Sequence, residues 1–286
     1  MNKFRAEVNR ETNYVYHMLS VAQCGYDNDY GRRYASLHRR DDLAVLKGYE
    51  RLLTVAGGEH CGELYGPLIA WPATGDERAD DFYRRLITEP PKGYERETAE
   101  IAGVMLRGYD VYIQRVWPED QAVLLDYAAR IQRRFEEADF TARAEELVGI
   151  ELPTAFRAML CNSLAYGAEA IDISEDQDVF GIDRSEEHAL LFMVHEFIIY
   201  LLKRALRDTD AFMRMETWTL TEGLAEFYLK RLMGSSGFFN DCARQMALYE
   251  ALHSAHPDWE AKALYSAAVK AASTYNGLSS TENRGR

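Results

Sequence analysis

Cysteine, positive charge and long apolar runs are all scarce in this chain, and each shortage removes a class of protein. The four cysteines, Cys24, Cys61, Cys161 and Cys242, are dispersed over 286 residues with no C-x-x-C pair. That spacing argues against a disulfide framework and against a structural zinc cluster. Each sits among apolar or small neighbours and reads as a buried free thiol. Lys and Arg number 33 against 46 Asp and Glu, a net charge of −13. Nucleic acids and anionic membrane surfaces need a basic face, so neither is expected as a partner. The N-terminus, MNKFRAEVNRETNY, has no apolar run of signal-peptide type. The most apolar stretch, 189–202, is too short to span a bilayer and is broken by His195 and Glu196. A cytoplasmic location is therefore the expectation. There is no G-x-S-x-G, no P-loop and no G-x-G-x-x-G, so nothing points to a nucleophilic serine or a nucleotide site.

What is present is core material. Hydrophobic residues make up 47% of the chain, enough for one large domain or two smaller ones. Through residue 92 the chain reads mainly as helix. Phe4, Val8, Val15, Met18, Leu19 and Ala22 recur at helical spacing, and Leu43, Leu46, Tyr49, Leu52 and Leu53 do so again before Gly57 and Gly58. Residues 57–76, rich in Gly and Pro, read as a long loop, followed by a helix from about Ala79 to Ile87. Pro90 and Pro91 mark a linker, so a helical N-terminal region is placed over 1–92 and a second domain over 93–275. The polar tail, 276–286, is expected to be disordered.

Within the second domain a helix over 95–116, another restarting at Trp117 and a short third one to about Val148 are expected, and then the periodicity changes. Residues 155–161, 169–174 and 179–182 alternate with period two and read as strands. They are the material of a small mixed sheet. Ser185 then offers an N-cap, and Glu186 and Glu187 suit the first turn of a helix reaching about Leu206. Thr221 is read as the start of the next helix. The fold class expected is α+β, mostly helical, with the sheet packed on the helix that carries His195.

That helix is apolar on all sides except at His195 and Glu196, so it should be buried all round. A buried, unpaired carboxylate costs several kcal/mol or takes up a proton. Glu196 therefore needs a partner, a metal-bound water or a cavity open to solvent. The following helix opens Thr221-Glu222-Gly223-Leu224-Ala225-Glu226. Glu222 could point at His195, and the small Gly223 and Ala225 allow another helix to approach closely.

The order of these pieces resembles the gluzincin branch of the zincin metallopeptidases. In that family a strand-rich half precedes a helix bearing H-E-x-x-H, and a later helix supplies a glutamate, often within E-G-x-A. The resemblance covers 151–232. It implies His195 as the first zinc ligand, Glu196 as general base for a zinc-bound water, and Glu222, within E-G-L-A, as the glutamate ligand. The position of the second histidine is Ile199, which cannot bind metal. Zinc is thus the implied cofactor of an incomplete site.

Substitutes for the lost ligand are few. Tyr200 points about 100° away around the helix, and His188 lies about 10 Å along the axis. Glu226 is one turn beyond Glu222 on the same face and is the best candidate. Three readings stay open: a zincin-like pseudoenzyme, inactive or weakly active, that binds an extended peptide; an active metal-dependent hydrolase using Glu226; and a helical interaction scaffold in which His195 and Glu196 form a buried polar pair. Other groups, His60 with Cys61, His253 with His256, and Glu175, Asp176 and Asp178, read as loop, surface or capping residues.

Overall fold

Helices dominate the computed structural model, and the fold is α+β and mostly helical, as the sequence led us to expect. The structure describes residues 3–25, 28–56, 60–164, 171–174, 176–182, 185–209, 217–235 and 242–282. Strand β1 (Phe4–Glu7) precedes helix α1 (Arg10–Val21). Next come α2 (Asp29–Tyr34), α3 (Arg40–Gly48), α4 (Glu50–Leu53), the short strands β2 (Val55–Ala56) and β3 (His60–Cys61), and α5 (Ala79–Thr88). Two long helices, α6 (Glu95–Arg115) and α7 (Trp117–Glu137), lead to α8 (Phe140–Val148). Strands β4 (Phe156–Cys161), β5 (Ile171–Ser174) and β6 (Gln177–Gly181) are followed by α9 (Glu186–Ala205), α10 (Trp218–Met233), α11 (Ala243–Ala255) and α12 (Ala261–Glu282).

The main sheet has the order β1-β4-β6-β5. Strands β4 and β6 run parallel, with Met159 opposite Val179, whereas β5 runs antiparallel to β6, with Asp172 opposite Asp178. The sheet is therefore mixed. Its fourth strand is a correction: Phe4 and Val8 share a helical spacing, yet Phe4–Glu7 is β1, and the helix starts only at Arg10. Asn9 keeps an extended backbone just before the helix, and its side chain accepts hydrogen bonds from the N–H groups of Glu11 (2.8 Å) and Thr12 (3.1 Å). An N-cap of this kind sets where a helix can begin.

Other boundaries also shift. The segment read as a loop over 57–76 carries β3, a wide helical turn at Gly66–Ala70 and a tight one at Pro72–Thr74. Helix α12 continues to Glu282, past Asn276 where a tail without structure was expected. The alanines at 267, 268, 271 and 272 are strong helix formers, and propagation from an established helix needs no new nucleus.

The chain forms two compact units, and no boundary falls at 92/93. One comprises Phe4–Arg134 and Arg157–Leu190; there α5 packs along α6, and α1 packs on α2, α5 and α6. The other comprises Met1–Lys3, Phe135–Phe156 and Leu191–Arg286, and it is built around α10, which touches α8, α11 and α12. Within this second unit Phe156, the first residue of β4, packs edge-on against Phe197 and tilted on Tyr200, with ring centres 5.9 and 5.4 Å apart. Gly223 has a packing role here: a Cβ at that position would lie 2.4 Å from Cβ of Gln245, so its small size admits α11. Among the described residues no helix is long and apolar enough to cross a membrane.

Candidate functional site

Helix α9 is as deeply buried as its composition requires. Met193, Val194, Phe197, Ile198, Leu201 and Leu202 have no exposure. Ser185 acts as the expected cap, its Oγ accepting from the N–H of His188 at 3.2 Å. Ile199, where the resemblance would place a second histidine, is 3% exposed and belongs to this core. His195 is completely buried, while Glu196 keeps a partly exposed side chain.

Across from His195 stands α10. It begins at Trp218, earlier than Thr221, which places Glu222 in its second turn. His195 Nε2 donates to Oε2 of Glu222 at 3.1 Å. On the other side of the same ring, Nδ1 lies 3.1 Å from Oε1 of Glu226. Oε1 of Glu196 is 4.0 Å from Nε2. The sequence explains this arrangement simply. Glu222 and Glu226 are four residues apart and share one helix face, separated by about 6 Å of rise. That span lets one imidazole fit between them with a carboxylate oxygen at each nitrogen.

Electrostatics favour a charged ring. Burial works against the imidazolium, but the contacts with Glu222 and Glu226 and the charge of Glu196 outweigh it, lifting His195 from 6.5 to about 10. An imidazolium donates from both nitrogens, and each nitrogen of this ring has a carboxylate oxygen near it.

The residues implied by the zincin resemblance are thus brought together: His195, Glu196 and Glu222 converge. Glu226 also arrives, but at Nδ1. In that place it lies on the other side of the ring from Nε2 and Glu222. The resemblance would put the remaining ligand at residue 199, where the side chain is the aliphatic Ile199. Among the described residues no group of three His, Cys, Asp or Glu is arranged to hold a metal ion. Among the described residues the donors at Nε2 and Glu222 stop one short of the three that a catalytic zinc takes. What the cluster can do chemically is hold a buried positive charge between carboxylates, tying α9 to α10.

A second polar cluster, in the other unit, was missed by the sequence reading. His17 Nε2 lies 2.9 Å from His38 Nε2, and His17 Nδ1 lies 2.9 Å from the Tyr30 hydroxyl. Tyr30 donates to Asp120 Oδ2 at 2.7 Å, and Asn162 Nδ2 donates to Asp120 Oδ1 at 2.9 Å. Burial, and then the nearby His38, hold His17 well below the usual histidine range. The only local signal is a histidine on the apolar face of α1. Of the remaining groups, Glu175 and the side chains of His60 and Cys61 lie outside the described residues. Asp178 is 4% exposed on β6, so it is not part of a solvated loop.

Comparison with family models, with curated proteins and with solved structures gives no match.

Proposed function

We propose that this chain is a zincin-like protein that does not hydrolyse peptides by metal catalysis, and that it works by binding an extended peptide. The observation carrying this reading is His195, enclosed between Glu222 and Glu226 with Ile199 one turn along α9. An internal ion cluster occupies the place where the resemblance would put zinc. The peptide would add to β5, the last strand in the sheet order, which pairs with β6 on one side. Strand addition uses main-chain hydrogen bonds and makes no demand on a catalytic centre. A cytoplasmic setting belongs to the same reading and suits the buried free thiols of Cys24, Cys161 and Cys242.

Elemental analysis of untagged protein, purified without nickel resin or chelator, tests the first half. The wild type is expected to hold no stoichiometric zinc, and Ile199→His is expected to acquire it, since that change restores a second imidazole four residues after His195. Near-stoichiometric zinc in the wild type would overturn the reading in favour of a metallohydrolase with Glu196 as base. For the second half, a peptide that adds to β5 should protect the amides of Ile171–Ser174 from hydrogen exchange. Tight binding with those amides unprotected would rule the edge out.

A further inference from the structure

A cavity of about 530 Å³ opens in the unit built around α10, and His195, Glu196, Glu222 and Glu226 do not line it. Its walls include Phe227, Tyr228 and Trp259, and its rim carries Glu146, Asp258 and Glu260. All three carboxylates are on exposed residues. Among the described residues none of them has an ion-pair partner.

The two guanidinium groups nearby are already engaged. Arg231 pairs with Glu250 at 3.1 Å and lies 3.6 Å over the ring of Phe227. Arg143 donates to the carbonyl of Leu232 (2.6 Å), in the last turn of α10, and to that of Ala138 (3.0 Å), just after α7. Helix C-termini carry partial negative charge, so the Arg143 cation is held by two of them. The balance left at the cavity mouth is negative.

Two polar atoms of lining residues also stand without a hydrogen-bond partner, the Tyr228 hydroxyl and Nδ1 of His253. Tyr228 is 3% exposed. Burial pushes its hydroxyl up, so it stays protonated and keeps oxygen lone pairs to accept with. Buried polar groups are nearly always satisfied, and two exceptions at one cavity ask for an outside partner.

We infer that this cavity is a binding site for an organic ammonium ion. Its N–H groups supply donors for Tyr228 and His253, its charge answers Glu146, Asp258 and Glu260, and its apolar body lies against Trp259 and Phe227. Aromatic walls with a carboxylate rim are the usual chemistry for holding such cations. The ammonium group can come from a free amine or from a lysine side chain on a peptide.

Calorimetric titration of the full-length protein separates these cases. The ligands are benzylammonium, the neutral benzyl alcohol, the anionic benzoate, and Nα-acetyl-lysine methylamide. Benzylammonium or the lysine derivative should bind at least about tenfold more tightly than the alcohol or benzoate, the size of effect a desolvated cation contact provides. Comparable binding of both ammonium ligands points to lysine side chains, and a preference for benzylammonium points to free amines. The paired change Asp258→Asn with Glu260→Gln, at exposed positions that leave folding intact, should weaken binding about tenfold. Tyr228→Phe, which keeps the ring, should weaken it further. The inference is overturned if neither ammonium ligand binds, if the alcohol or benzoate binds as tightly, or if the carboxylate pair can be replaced without effect.

Discussion

His195 Nδ1 faces Glu226 Oε1 across 3.1 Å, and neither side chain has any exposure to solvent. A pair so placed holds only while both charges are present. Removing the cation takes away the charge that faces both Glu226 and, beside it, Glu222. His195→Ala should therefore destabilise the protein by about 3–5 kcal/mol, the range for breaking a buried ion pair from one side. Replacing His195, Glu222 and Glu226 together by Leu, Met and Leu should cost far less, because the two carboxylates leave with the cation they face. Urea unfolding of both variants decides the matter. A loss below about 1 kcal/mol for His195→Ala would mean the cluster does not hold the two helices.

The same cluster makes stability fall on the alkaline side. The folded state lifts His195 from 6.5 to about 10, so it binds this proton more tightly than the unfolded chain does. The stabilisation is fully present below about pH 6.5 and is lost as pH rises through about 10. Unfolding free energies of wild type and His195→Gln, measured across that window, should converge with increasing pH. A constant difference over the whole window would contradict a charged His195.

How much of this was legible depends on how local the signal is. The α9 helix was readable because Ser185, the acidic first turn and an all-round apolar run lie within one segment. The meeting of His195 with Glu222 followed from motif order, and Glu226 followed from its four-residue spacing. What the letters do not contain is which nitrogen each carboxylate takes, because that depends on how α9 and α10 pack. Strand β1 was hidden for a different reason: the spacing of Phe4 and Val8 suits a helix, and only the Asn9 cap, seen in three dimensions, sets the helix start at Arg10. The partners of His17 come from α2, from the segment before α3 and, through Tyr30, from α7, so no window along the chain could show them.

That His17 cluster predicts a loss of stability in acid. Burial, and then His38, lower the pKa of His17, and burial lowers His38 as well, opposed by Asp42. The unfolded chain therefore binds these protons more readily than the folded one. Their contribution is fully present above about pH 6.5 and is lost as pH falls below it. Asp120, raised by burial against its hydrogen bonds from Tyr30 and Asn162, acts in the opposite sense nearer the carboxylate range. A histidine NMR titration should find His17 still neutral where exposed histidines are charged. A midpoint for His17 near 6.5 would mean the cluster is open to water.

The last expectation concerns the start of α1. Gly75 adopts a left-handed backbone, φ 74°, and a Cβ there would lie 2.2 Å from Nδ2 of Asn9. Gly75→Ala thus carries two penalties. The left-handed conformation costs a residue with Cβ about 1 kcal/mol or more, and displacing Asn9 forfeits a helix cap worth about 1 kcal/mol. The single variant should lose more than about 2 kcal/mol, and Asn9→Ala alone about 1 kcal/mol. In the double variant the cap is already gone and the collision is relieved, so the two losses should fall short of additive by about 1 kcal/mol. Strict additivity in denaturant unfolding would show that Gly75 is required only for its backbone angle and that the closeness of Asn9 has no energetic weight.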